Sequence, residues 1–160
     1  MVKIYRTHDE PLVLNVNTLK NMKLHGESFH RCLLNNVDAT EADLSNSDFR
    51  SAEMIDSIFN NVIFSNAKLI MVKANRSFFD RCVFHATLLL HSDFGSSSFK
   101  FADFTKAIIN DVNFTHCDLR GAILNCEGLE TCLFNNAIYD DFTVWRKGFN
   151  AIEFGAIKRN

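Results

Sequence analysis

From Leu14 to Tyr139 every fifth residue is apolar. The series opens Leu14, Leu19, Leu24, Phe29, Leu34 and closes Leu119, Leu124, Leu129, Phe134, Tyr139, twenty-six positions in one unbroken frame. Only Ala39 and Ala74 among them are small. Two residues before each large position, from Cys32 onward, sits a small one: Cys32, Val37, Ala42, Ser47, Ala52 and so on to Ala137, with Glu127 as the one exception. A five-residue period matches neither a helix of 3.6 residues per turn nor the two-residue alternation of a half-buried strand, so the pattern predicts a repeat architecture. One large and one small inward residue per five, with polar residues between, is a two-layer packing code.

Segments such as ATEADLSNSDF, FADFTKA and CDLRGAIL read as Ala, Asp or Asn, Leu or Phe, then two polar residues. On these residues the chain resembles the pentapeptide-repeat family, and the resemblance runs through about 130 of the 160 residues. It implies an all-β fold, a right-handed quadrilateral parallel β-helix in which four pentapeptides make one square coil. The large residue and the small one before it then point inward, and the other three point out. Positions twenty apart lie on top of each other. With strands roughly 4.8 Å apart, six to seven coils give a rod of about 31 Å. Three inner columns then carry three phenylalanines in succession: Phe94, Phe114, Phe134; Phe59, Phe79, Phe99; and Phe64, Phe84, Phe104.

The ends depart from the code. Asn17, Met22 and Glu27 occupy small slots in the first coil, which reads as irregular. The domain reading is a short N-terminal cap over 1–11, with Val2, Ile4 and Tyr5 in a short strand and Pro11 after it, a β-helix over 12–141, and a C-terminal cap over 142–160. In that tail Phe142, Trp145, Phe149 and Ile152 recur at helical spacing, predicting a partly helical lid with Trp145 and Phe149 folded onto the last coil. The tail also resembles a closing sequence of cyanobacterial pentapeptide-repeat proteins, through Ala137, Tyr139, Asp140, Thr143, Trp145, Gly148, Phe149 and the run Gly155-Ala156-Ile157. Arg146 and Asn150-Ala151 depart from it. Glu127, followed by Gly128, marks a distortion. A carboxylate facing a Phe-lined interior is costly unless paired, so Glu127 is read as turned outward at a bulge, a buried functional acid being the other reading.

Composition adds little that is chemical. Sixteen phenylalanines against one tryptophan and two tyrosines indicate a dry interior. A net charge of −2 gives no electrostatic case for nucleic acid or a membrane surface. No apolar run is long enough to span a bilayer, and Asp9 and Glu10 stand where a secretory apolar core would be, so a cytoplasmic chain is expected. The five cysteines are odd in number and lack a C-x-x-C pair, and four of them occupy small inward slots, so they read as buried thiols. His25 and His30 could approach each other but have no third ligand. Ser96, Ser97 and Ser98 fit one inward serine between two outward ones. No catalytic, cofactor or metal constellation emerges, and the chain reads as a non-enzyme.

Two outward patterns carry the functional reading. The acids Asp38, Glu41, Asp43, Asp48, Glu53 and Asp56 gather in one stretch. The family resemblance implies, as the alternative function, a DNA mimic that regulates or protects DNA gyrase or another type II topoisomerase. That role needs a continuous negative face, whereas these acids wrap around the coil and basic residues follow at once. The second pattern is apolar. Ile58, Ile63, Ile70, Phe78, Val83, Leu88, Leu90 and Ile108 fall in outward slots, and they stack in adjacent coils as Ile58 under Phe78, Ile63 under Val83, Ile70 under Leu90 and Leu88 under Ile108. Clustered apolar residues on an outer surface mark a contact face. The leading expectation is therefore a rigid rod that binds a protein partner or a second copy of itself.

Overall fold

The computed structural model describes residues 19–160 and the strand backbones of 2–6 and 12–14. Asn17 and Pro11 lie outside the described residues. The chain is a right-handed quadrilateral β-helix whose regular strands are short: β1 (Val2–Arg6), β2 (Leu12–Leu14), β3 (Cys32–Leu33), β4 (Lys68–Ile70), β5 (Leu88–Leu90), β6 (Ile108–Asn110), β7 (Ile123–Leu124), β8 (Ile138–Tyr139), β9 (Val144–Trp145) and β10 (Ile157–Lys158). Between them, single parallel bridges link the outward residue just before each large one to its counterpart, nearly always twenty positions on, as in Lys23 to Asp43, Asp43 to Ile63 and Ile63 to Val83. Each step uses two hydrogen bonds. The amide of Phe84 donates to Asp103 O at 2.7 Å, and the amide of Asp103 donates back to Cys82 O at 2.9 Å.

The corners explain why the period is five. After each large residue the chain turns, and at many corners the amide of the next small residue donates to the large residue's carbonyl, as Ala102 does to Phe99 at 3.0 Å. At others, such as Val37 and Ser57, it donates to a serine hydroxyl one coil up. The third residue of this turn takes a left-handed conformation, the mark of a type II turn. Positive φ recurs at every fifth position from Asn21 to Gly121. Asn and Asp, which tolerate this region best after Gly, fill many of these corners. Arg81, Met71 and Phe101 also adopt it, with φ of 58°, 57° and 59°.

From Phe29 to Ala137 both slots are buried, apart from half-buried Val37 and the shifted position of Glu127, and the phenylalanines stack in columns. Phe59, Phe79 and Phe99 lie 5.3 and 5.1 Å apart, and Phe64, Phe84 and Phe104 lie 5.2 and 4.7 Å apart, with rings within 10° of parallel. Phe94, Phe114 and Phe134 continue the pattern at 6.1 and 5.4 Å. Neighbouring columns meet edge-on, as Phe94 does with Phe99 at 5.4 Å. Such offset and edge contacts suit the ring quadrupole. Buried hydroxyls fill some small slots and are satisfied there. Ser57, Ser77 and Ser97 donate to Leu34 O, Met54 O and Ala74 O at 2.7, 2.6 and 2.7 Å. Ser77 and Ser97 also accept the amides of Ser57 and Ser77. Ser97 is thus a structural rung, flanked by the less buried Ser96 and Ser98.

Both ends differ from the simple frame. Leu14 keeps the five-residue spacing, but its strand β2 pairs antiparallel with β1, which also pairs antiparallel with β3. At the other end, Phe142, Trp145, Phe149 and Ile152 do not share a helical face. Val144 and Trp145 form β9 on the open edge of β7, and one 3₁₀ turn covers Ala151–Phe154. Unpaired backbone groups on a strand edge are costly to leave unmade, and a further strand satisfies them where a helix would not. Trp145 and Phe149 lie on Phe134 at 5.5 and 5.7 Å, while Phe142 and Ile152 point into solvent.

Glu127 sits at a slip in register. Ile108 bridges to Glu127, nineteen residues on instead of twenty. Cys126 is buried in the small slot, Glu127 is exposed in the outward position, and Gly128 is the extra residue before buried Leu129. One residue is lost at the corner after Leu124 and one is gained before Leu129, so the large frame is unbroken. The fifth cysteine therefore points inward like the other four.

Candidate interaction surface

On each of the four faces of the rod one column of outward residues forms the bridge ladder. Ile58 and Phe78 bridge on one face, and Ile63 and Val83 on the next. Leu88 and Ile108 pair on the third, with Ile70 and Leu90 paired at its edge. All four stacked pairs are in the register that twenty-residue coils require. Ile58, Ile63, Phe78 and Ile108 are exposed, whereas Ile70, Val83, Leu88 and Leu90 are half-buried against their neighbours. The eight residues do not form one flat patch, because they wrap around three successive faces at mid-rod.

Several large apolar residues outside that set are exposed as well, Leu133 and Ile152 among them. Met71 is 61% and Phe101 55% exposed, both at corners, and Phe142 is 76% exposed near the C-terminal end. Corner residues give little sequence signal, because nothing in the five-residue code says which of them lies flat on the coil above.

Four of the six acids are compensated. Lys20 pairs with Asp38 at 2.7 Å, Arg50 with Asp48 at 2.6 Å, Lys73 with Glu53 at 3.4 Å and Arg76 with Asp56 at 2.7 Å. Farther along, Arg120 holds Asp118 at 2.7 Å. Partial burial pushes the Asp118 carboxyl up, but the Arg120 contacts outweigh it and hold the group below the usual carboxylate range. Four members of the acidic stretch thus face a cation instead of presenting bare charge.

All five thiols are buried. Burial pushes the thiols of Cys117 and Cys126 up to about 12 and also raises Cys82 and Cys132. Because the thiolate is the reacting species, the native protein is expected to react only slowly with a disulfide reagent at pH 8. All five thiols should titrate within seconds in denaturant. Two or more fast thiols in the native state would contradict this packing.

Among the described residues no helix is long and apolar enough to cross a membrane. The described surface holds shallow clefts. One, of about 320 Å³, lies on the corner between the first two apolar faces, lined by Asn60, Asn61, Asp80, Arg81, Lys100 and Phe101. Another, of about 390 Å³, lies at the register slip and is lined in part by Lys106, Glu127 and Arg146.

The family model for pentapeptide repeats matches in eight copies over residues 28–66 and 88–125. The ladder continues without a break through the unmatched residues between. No curated protein matches the sequence. Among solved structures, a pentapeptide repeat protein from Nostoc PCC 7120 is 19% identical, with a TM-score of 0.54 over 61% of this chain and 84% of that one. HetL, a pentapeptide repeat protein involved in heterocyst differentiation regulation in Nostoc sp. strain PCC 7120, is 16% identical, with a TM-score of 0.42 over 79% of this chain and 55% of that one. QnrB1, a plasmid-mediated fluoroquinolone resistance protein, is 14% identical, with a TM-score of 0.41 over 92% and 86% of the two chains.

Proposed function

The chain belongs to the pentapeptide-repeat family, and we propose that it acts as a non-enzymatic binding rod, whose outward apolar columns seat a protein partner or a second copy of the chain. One observation carries this reading. Ile58, Phe78, Ile63 and Ile108 stand exposed in a ladder that otherwise presents mostly polar residues. Exposed apolar residues on a rigid, pre-ordered surface lose little entropy on binding, and this favours contact over solvation. The ion pairing of Asp38, Asp48, Glu53 and Asp56 weighs against a polyanionic face of the kind a DNA mimic requires.

The test is a pair of surface substitutions, Phe78→Asp and Ile108→Lys. Both sites are about half exposed, so the melting temperature should shift by no more than a few degrees. Self-association measured by sedimentation, or capture of a partner, should fall by roughly tenfold or more. Unchanged association in the double variant would sink this reading.

A further inference from the structure

The corner cleft between the first two apolar faces has a feature the apolar columns lack. Phe101 occupies a left-handed corner, φ 59°, a conformation that bulky side chains seldom adopt. Its ring lies against Gly121 so closely that a Cβ there would stand 2.4 Å from Phe101 Cδ1. Only glycine at 121 leaves room for that ring. Over the same ring lies the Arg81 guanidinium, 5.8 Å from its centroid. Among the described residues Arg81 has no carboxylate partner, although Lys100 and Arg76 beside it are each ion-paired. The one acid in the cleft, Asp80, is already engaged by the Ser98 hydroxyl, the Lys100 amide and the Lys100 ammonium. Arg81 is therefore the uncompensated charge of the cleft, held in place by an aromatic ledge. Ile58 and Phe78 flank it on one side, and Ile63 and Val83 on the other.

We propose that this corner receives a carboxylate of a protein partner, an Asp or Glu side chain on an extended segment whose neighbouring apolar side chains lie on Phe78 and Ile63. The proposal rests on the binding-rod reading and adds to it the chemistry of the partner. Arginine and aromatic residues dominate the energetic centres of interfaces, and a guanidinium presents a fork that matches a carboxylate. The ring that holds Arg81 also limits the freedom the side chain would lose on binding.

A phage-displayed random peptide library panned on the full chain tests this without knowing the natural partner. The expected result is enrichment of sequences with an Asp or Glu next to an aromatic or aliphatic residue. Arg81→Glu should weaken their binding by roughly tenfold or more, Phe101→Ala should weaken it too, and replacing the peptide's acid by Lys should restore binding to Arg81→Glu. Enriched peptides without acids, or affinity unchanged in Arg81→Glu, would overturn the proposal. If Phe78→Asp still abolishes binding in that case, the apolar faces stand and only the corner fails. Insensitivity to both variants, or a library that yields no binder, overturns both. Arg81 is exposed, so unchanged circular dichroism and melting are expected for its variants.

Discussion

Gly128→Ala is expected to destabilise the protein by about 4 kcal/mol or more, one of the largest effects of any single methyl in this chain. Gly128 has φ 88°, and a Cβ built there would lie 1.6 Å from the carbonyl oxygen of Ile109 and 2.8 Å from its carbon. That carbonyl belongs to β6, whose backbone is fixed by pairing with β5 below, so neither partner can retreat cheaply. The left-handed conformation adds roughly 1 kcal/mol for a non-glycine residue. Gly26→Ala is the internal control. Gly26 also has a positive φ, 75°, but has nothing within 4 Å of an added Cβ, so it should lose only about 1 kcal/mol. Thermal and denaturant unfolding of the two variants side by side separates crowding from backbone conformation. A Gly128→Ala loss no greater than that of Gly26→Ala would mean that the coil at Glu127 re-forms in regular register.

That slip also shows where the sequence stops being transparent. The inward frame is readable because each fifth residue reports directly on burial, and the twenty-residue stacking of Phe59, Phe79 and Phe99 follows once four faces are assumed. At 124–129 the large residues keep their spacing although the backbone between them loses one residue and gains another. Only Cys126, one place early, and Gly128 record the change. The tail misleads in the opposite sense. Phe142, Trp145, Phe149 and Ile152 have helical spacing, yet the open edge of β7 offers unmet hydrogen bonds that Val144 and Trp145 satisfy as a strand. Periodicity is a local signal, and here a non-local ladder overrides it. The same limit applies to the surface. Stacked pairs such as Leu88 and Ile108 are legible from their spacing of twenty. The Arg81–Phe101 ledge is not, because its meaning depends on a side chain missing from Gly121, one coil above Phe101.

Phe99→Ala should cost about 3–5 kcal/mol, toward the upper end of that range. Phe99 touches five other rings: Phe79 at 5.1 Å, Phe94 at 5.4 Å, Phe104 at 5.5 Å, Phe114 at 5.6 Å and Phe84 at 6.0 Å. The cost of a cavity depends on how far its walls can collapse, and here the walls are clamped. The backbone amide of each of these five residues is tied to the next coil by a ladder hydrogen bond, as Phe79 N is to Ser98 O at 2.7 Å and Phe104 N to Ile123 O at 2.8 Å. The rings cannot close the gap without breaking that register. Phe99→Leu retains much of the volume and should cost about 1.5 kcal/mol or less. A second consequence separates this rod from a globular core. In a solenoid each coil contacts only its neighbours, so cooperativity is transmitted through one interface at a time. Emptying the Phe99 site weakens the coupling between the coils on either side of it. Unfolding of Phe99→Ala in urea should therefore show a lower slope than the parent as well as a lower midpoint, because the two halves begin to unfold separately. An unchanged slope with a loss of less than 1 kcal/mol would mean that the coils can collapse onto the cavity, and that the ladder is softer than its hydrogen bonding implies.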